Sequence, residues 1–144
     1  MTDSLEDRIR RLEDLAAIQH LTALYGTSVD FGLEGSQPDT ATLQTLFAED
    51  ATWYSTATDV TWRGQAEIVE HLSAAPEGLD FAMHSFTNPV IRLDGDTASA
   101  TFLLWVGITG NEVFQRENLT YTRTADGWVI QSIDLRFGKS LISS

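Results

Sequence analysis

Apolar and polar residues alternate most regularly between Leu79 and Gly138. Four runs there read as successive strands: Leu79 to Leu93, Thr97 to Ile108, Glu112 to Thr124 and Trp128 to Gly138. A period of two sends neighbouring side chains to opposite faces of an extended chain. The junctions Asp94-Gly95, Gly110-Asn111 and Asp126-Gly127 suit hairpins, and Asp-Gly favours a turn whose two central residues both have positive φ. Pro89 has no N–H to give to a ladder, so it predicts a bulge or bend in the first long strand.

The N-terminal part follows the helical period instead. Leu5, Ile9, Leu12 and Ala16 recur at helical spacing. Leu15, Ile18, Thr22, Tyr25 and Val29 then take over on a neighbouring face, which predicts a helix from residue 4 to about residue 29. Its first turns read as half-exposed and the turns from Leu21 to Val29 as buried. Ser4 followed by Asp7 has the form of a helix start. Residues 31–38 are a loop by composition, and Asp39 is a fair N-cap for a short helix from Ala41 to Ala48. Ala51 to Thr58 and Val60 to Arg63 read as extended pieces. Gln65 to Ala75 reads as a helix that Pro76 ends. A strongly curved meander with helices on one face is an α+β architecture, and the chain shows no repeat or linker that would divide it.

Composition narrows the function more than the fold. The 144 residues are 42% hydrophobic and 21% charged, as in an ordinary folded domain with a sizeable core. The formal charge of −12 argues against nucleic acid or an anionic membrane as partner, since phosphates need a basic face. There is no cysteine, hence no disulfide framework, thiolate nucleophile or zinc knuckle. Three histidines without paired spacing argue against a metal site, and there is no Gly-rich phosphate loop or Gly-x-Ser-x-Gly elbow. The polar stretch Met1 to Arg11 lacks the apolar region of a secretory signal, so a cytoplasmic protein is the expectation.

Candidate chemistry centres on Met83-His84-Ser85-Phe86-Thr87-Asn88. His84, Phe86 and Asn88 share one strand face, where a histidine is either a hydrogen-bonded core residue or a catalyst. Asp30 stands at the end of the long helix, as a solvated terminal carboxylate or one aimed into a cavity. Gly26, four residues before it, leaves a notch on the same helix face. Asn88 precedes Pro89 and has a backbone-satisfying role at the bulge as its alternative. Asp134 and Arg136 share a face of the last strand and read as a salt-bridged pair, while His20 and His71 read as solvated.

The order of elements, with Ala48-Glu49-Asp50-Ala51, Trp62-Arg63-Gly64, Met83-His84-Ser85-Phe86-Thr87-Asn88, Asp94-Gly95-Asp96-Thr97-Ala98 and Asp126-Gly127-Trp128-Val129-Ile130, resembles the SnoaL-like branch of the nuclear transport factor 2-like superfamily. That branch includes scytalone dehydratase, a bile acid 7α-dehydratase and a hexachlorocyclohexane dehydrochlorinase. The resemblance spans nearly the whole chain. It implies a cone-shaped α+β barrel, with a curved antiparallel sheet wrapped around three N-terminal helices. It also implies that Asp30 orients His84 as general base. Tyr25 resembles a tyrosine of the bile acid enzyme, and Asn118, in Glu117-Asn118-Leu119-Thr120-Tyr121, a substrate-binding asparagine of scytalone dehydratase. The second histidine of scytalone dehydratase has no counterpart, its paired tyrosines fall near Val29 and Ser55 with Tyr54 adjacent, and the dehydrochlorinase's last-strand arginine falls near Ile133.

An imidazole held in one tautomer by a carboxylate can remove a proton from an acidic C–H without a cofactor, and can return it to a leaving hydroxyl on the same face. Tyr25 then offers a hydrogen bond to a substrate oxygen, or is a core residue of the helix stripe. Asn118 binds substrate or lies on the solvent face. Trp53, Tyr54, Trp62, Phe86, Phe102 and Trp105 are mostly core, with some lining the cone for an apolar, ring-containing ligand. The reading is a cofactor-independent lyase, isomerase or cyclase for a small hydrophobic molecule, polyketide- or steroid-like, with a non-catalytic binding or interaction module of the same fold as its rival. A curved sheet with one free face also suggests a homodimer.

Overall fold

The computed structural model describes residues 2–142. Helix α1 (Leu5–Val29) begins where the pattern places it. Ser4 Oγ accepts the Asp7 N–H at 3.0 Å and the Asp7 carboxylate accepts the Ser4 N–H at 3.2 Å, so two otherwise orphaned amides are satisfied reciprocally. Helix α2 (Thr40–Leu46) is capped by Asp39, which accepts the Thr42 N–H at 3.0 Å. Strand β1 (Phe47–Ser55) follows it directly, so Phe47 and Ala48 belong to the sheet and not to the helix. Strand β2 (Val60–Arg63) and helix α3 (Gln65–Ser73) come next. Helix α3 ends at Ser73 with Ala74 already extended, which leaves Ala75, the residue that a following proline keeps out of the helical region, outside the helix. Strands β3 (Ala82–Asp94), β4 (Thr97–Ile108), β5 (Asn111–Thr124) and β6 (Gly127–Ser140) complete the chain.

The six strands form one sheet in the order β2-β1-β6-β5-β4-β3. Strands β3 to β6 are the expected antiparallel meander. The sheet is mixed, however, because β1 lies parallel to β6. The chain crosses by way of α3 to the far edge, and the meander walks back until β6 meets β1 running the same way. The α+β cone stands, with this one parallel seam in place of the wholly antiparallel sheet read from the sequence. In the β3–β4 hairpin Asp94 pairs with Thr97, so the central residues are Gly95 and Asp96, and only Gly95 has positive φ, at 61°. The Pro89 bulge is present: pairing moves from Thr87–Leu103 to Val90–Thr101 with one extra residue on β3, and Asn88 takes φ 53°.

The concave face of the sheet holds the core. Ile18, Leu21, Tyr25 and Val29 of α1 pack with Leu119, Tyr121, Ile130 and Ile133, and the helices close over them with Leu43, Leu46, Ile68 and Val69. Leu5, Ile9 and Leu12 stay exposed, more so than their spacing suggests. Two polar ties fix how α1 crosses the sheet. Thr22 donates to the Ile18 carbonyl at 2.9 Å, so the buried Tyr121 hydroxyl donates to Thr22 at 2.6 Å. Arg123 grips both carboxylate oxygens of Asp14 at 2.9 and 2.7 Å, and the Trp128 indole adds a third bond at 3.0 Å. Those donors hold the Asp14 carboxyl below its ordinary pKa, Arg123 most of all. Among the described residues no helix is long and apolar enough to cross a membrane.

Replacing Tyr121 by Phe removes one buried donor and leaves Thr22 with its backbone bond. Stability in urea denaturation should fall by about 1 kcal/mol, with the slope unchanged.

Candidate active site

The site begins where α1 ends. Asp30 is extended, with φ −67° and ψ 148°, and carries the chain off the helix along the free edge of β3. There Phe31 and Ala82 exchange backbone hydrogen bonds at 3.1 and 3.0 Å. Two residues further along β3 the His84 N–H points to the same edge, and Asp30 Oδ1 accepts it at 2.7 Å. The same oxygen faces His84 Nδ1 at 2.9 Å. One carboxylate oxygen thus stands in for a missing strand neighbour and holds the ring as well. Gly26 permits the close approach: a Cβ there would meet the Phe86 ring at 2.9 Å and the His84 carbonyl at 3.6 Å, so the notch read from the sequence is filled by Phe86.

The geometry dictates the tautomer. A carboxylate only accepts, so Nδ1 carries the proton and Nε2 keeps the basic lone pair. Asp30 and His84 are both half-buried, with side chains 13% and 21% exposed, dry enough for the contact to matter and open enough for a ligand to reach the ring.

His84 forms part of the wall of a cavity of about 170 Å³ between the sheet and the helices. Val29, Leu72, Leu104, Val106, Val113 and Leu135 make its apolar surface, with Trp53 beside them. Its polar groups are Tyr25, His84, Gln115 and Glu117. The Tyr25 hydroxyl accepts the Trp53 indole N–H at 3.3 Å, and burial with the neighbouring Glu117 pushes its pKa well above the ordinary phenol value. Glu117 is 1% exposed, its Oε1 has no hydrogen-bond partner, and burial pushes its carboxyl up to about 8.

Of the sequence candidates, the structure brings Asp30, His84 and Tyr25 together. The others lie elsewhere. Asn118 follows the inward-facing Glu117 on β5, so the pleat turns it to the outer face; there it accepts from Thr101 at 2.9 Å in an open groove with Arg92 and Ser132. Tyr54 alternates outward next to the buried Trp53 and donates to Asp59 at 2.9 Å. Trp62 stacks behind Trp53 at 4.0 Å and on His71 at 4.4 Å, one layer back from the cavity. Phe86 and Phe102 pack edge to face in the core, 5.7 Å apart, and Phe86 borders Tyr25 at 5.9 Å. Asn88 is exposed at the bulge. Arg136 pairs with Asp134 at 2.8 Å on the outer face, as read.

Sequence reading passed over Glu117 and Gln115; of the aromatic set expected to be mostly core with some lining the cone, Trp53 is the one that reaches the cavity wall. The alternation Val113, Gln115, Glu117, Leu119, Tyr121 held the signal, because the last two are plainly core residues and put the acid on their side of the strand.

Residues 10–134 match the family model of the SnoaL-like domain. No curated protein sequence matches the chain. Among solved structures, a hexachlorocyclohexane dehydrochlorinase, LinA type 2, superposes with a TM-score of 0.80 at 15% identity, covering 95% of this chain and 93% of that one. A protein of Novosphingobium aromaticivorans assigned as a scytalone dehydratase gives 0.77 at 14% identity, over 93% and 90%. An NTF2-like protein of cystatin-like fold from the same organism gives 0.72 at 24% identity, over 100% and 94%. They show the same fold.

The buried acid has a pH signature. A Glu117 carboxyl that binds its proton up to about pH 8 when folded, but only to about 4.5 when unfolded, loses its favourable contribution as pH rises through that window. Wild-type stability should therefore fall relative to Glu117→Leu between about pH 5 and pH 8, read from denaturant midpoints at each pH.

Proposed function

The chain belongs to the SnoaL-like domain family, and we propose that it catalyses proton transfer on a small hydrophobic molecule, as a lyase or isomerase with His84 as the general base. The observation that carries this reading is the contact of Asp30 Oδ1 with His84 Nδ1 at 2.9 Å in the wall of an apolar cavity. Asp30 keeps the proton on Nδ1, turns Nε2 into the acceptor, and stabilises the imidazolium that forms. The proton comes from a C–H made acidic by a neighbouring carbonyl. Its electron pair forms a double bond, and the imidazolium returns the proton to a leaving hydroxyl or to another carbon. Two relatives of the same fold bear the names of eliminating enzymes, a dehydrochlorinase and a dehydratase, which supports this class.

The volume narrows the substrate. An apolar cavity of about 150 Å³ holds one benzene, so about 170 Å³ gives room for a single ring. A steroid would have most of its rings outside this space, which favours a one-ring substrate or a one-ring portion of a larger one. Outside the site, Leu103, Trp105 and Phe114 are exposed on the convex face of β4 and β5, with Trp105 and Phe114 directly paired. We infer that a second copy of the chain covers this patch.

3-Hydroxycyclohexanone is a fitting probe, since loss of water gives cyclohex-2-enone, followed by its ultraviolet absorbance. His84→Ala should lower kcat/KM by 10²- to 10⁴-fold, about what a positioned general base contributes. Unchanged turnover would remove His84 from the base role, and a wild type that binds the ring without turning it over would favour a binding module. Light scattering should give twice the mass of one chain, and Trp105→Glu should halve it.

A further inference from the structure

The dyad leaves one buried acid unused. Glu117 sits in the middle of β5, opposite Phe102 on β4 and Leu135 on β6, and borders the same cavity as His84. Its Oε1 is fully enclosed and unpartnered, and no Lys or Arg lines the cavity to balance a charge. The titratable groups around it are Tyr25 from α1, His84 from β3 and Tyr121 four residues along β5 on the same face. A carboxylate in such surroundings takes up a proton in preference to remaining ionised, and as an acid it becomes an O–H donor. The value of about 8 agrees with that arrangement. Tyr121 has its hydroxyl committed to Thr22, so it does not satisfy Glu117.

We propose that Glu117 is a second catalytic residue, a neutral acid that donates to the carbonyl oxygen of a single-ring ketone while His84 removes the proton next to that carbonyl. The proposal rests on the base role of His84. In the first step the C–H bond breaks and its proton passes to His84 Nε2. The electron pair forms a carbon–carbon double bond to the carbonyl carbon, and the carbonyl oxygen takes the Glu117 proton. An enol results, with imidazolium and carboxylate both in the cavity wall, on β3 and β5. In the second step the enol proton returns to Glu117 and the carbonyl re-forms. The double bond shifts one position, the C–O bond to the β-hydroxyl breaks, and the departing oxygen takes the His84 proton as water. Ketone goes to enone plus water, and both side chains regain their starting states.

Cyclohex-2-enone, the product of the probe reaction, reports this contact without turnover, because its ultraviolet band moves to longer wavelength when the carbonyl accepts a hydrogen bond. Wild type and His84→Ala should both shift the band. Glu117→Leu swaps a buried unpaired acid for an apolar side chain of similar size and leaves the fold in place. It should abolish the shift and weaken binding about tenfold, the worth of one buried hydrogen bond. Glu117→Gln keeps a donor but not a transferable proton, so it should retain most of the shift and lose at least 10²-fold in kcat. An infrared band of a protonated carboxylic acid should be present at pH 7 in the wild type and absent from Glu117→Leu. No shift in the wild type, the same shift in Glu117→Leu, or no acid band overturns the proposal. Failure of the base reading shows separately, as unaltered turnover in His84→Ala with the shift intact.

Discussion

One carboxylate oxygen holds the site together. Asp30 Oδ1 accepts from both the backbone and the ring of His84, so the end of α1, the edge of β3 and the orientation of the imidazole are a single fact. If the oxygen let go of the strand, the ring would lose its partner too. The Phe31–Ala82 bridge next to it and the absence of a side chain at Gly26 set the spacing at which this works. The contact is half-buried, and the same oxygen accepts an amide that has no other partner, so it belongs to the folding of the edge as much as to any chemistry.

Two carboxyl groups meet the site in different ways. Asp30 lies behind the imidazole and accepts from both the backbone and the ring of His84. Glu117 faces the apolar side chains of the cavity and a phenol, and burial pushes its carboxyl up to about 8. The Tyr25 hydroxyl borders the same cavity, with the Trp53 indole giving it a hydrogen bond.

Much of the fold was legible because local chemistry and long-range packing agree. Ser4 and Asp7 cap α1, Asp39 caps α2, and Pro89 forces the bulge; each is a consequence of short-range hydrogen bonding that the residues announce themselves. The parallel seam between β1 and β6 was not legible, since strand direction depends on how many times the chain has crossed the sheet and not on any residue in β1. At the site, Asp30 and His84 could be named from their places in the chain, whereas Asn118 and Glu117 are neighbours with opposite fates. A shift of one position on a strand exchanges the faces, so a motif that is correct to within a residue can still point to the wrong side of the sheet.

The two edges of the sheet carry a consequence for how copies of this chain can associate. A bare strand edge invites another chain to extend the sheet, the route to swapped and fibrous aggregates. Here one edge is the four-residue β2. The other is occupied at its start by Phe31 and Asp30, and further on it is kinked by Asn88 and lacks an amide at Pro89. Neither edge offers a long flat template. The contacts that keep the imidazole in place also keep the sheet finite, so loosening the end of α1 would uncover sticky backbone at the same moment that it disarmed the histidine.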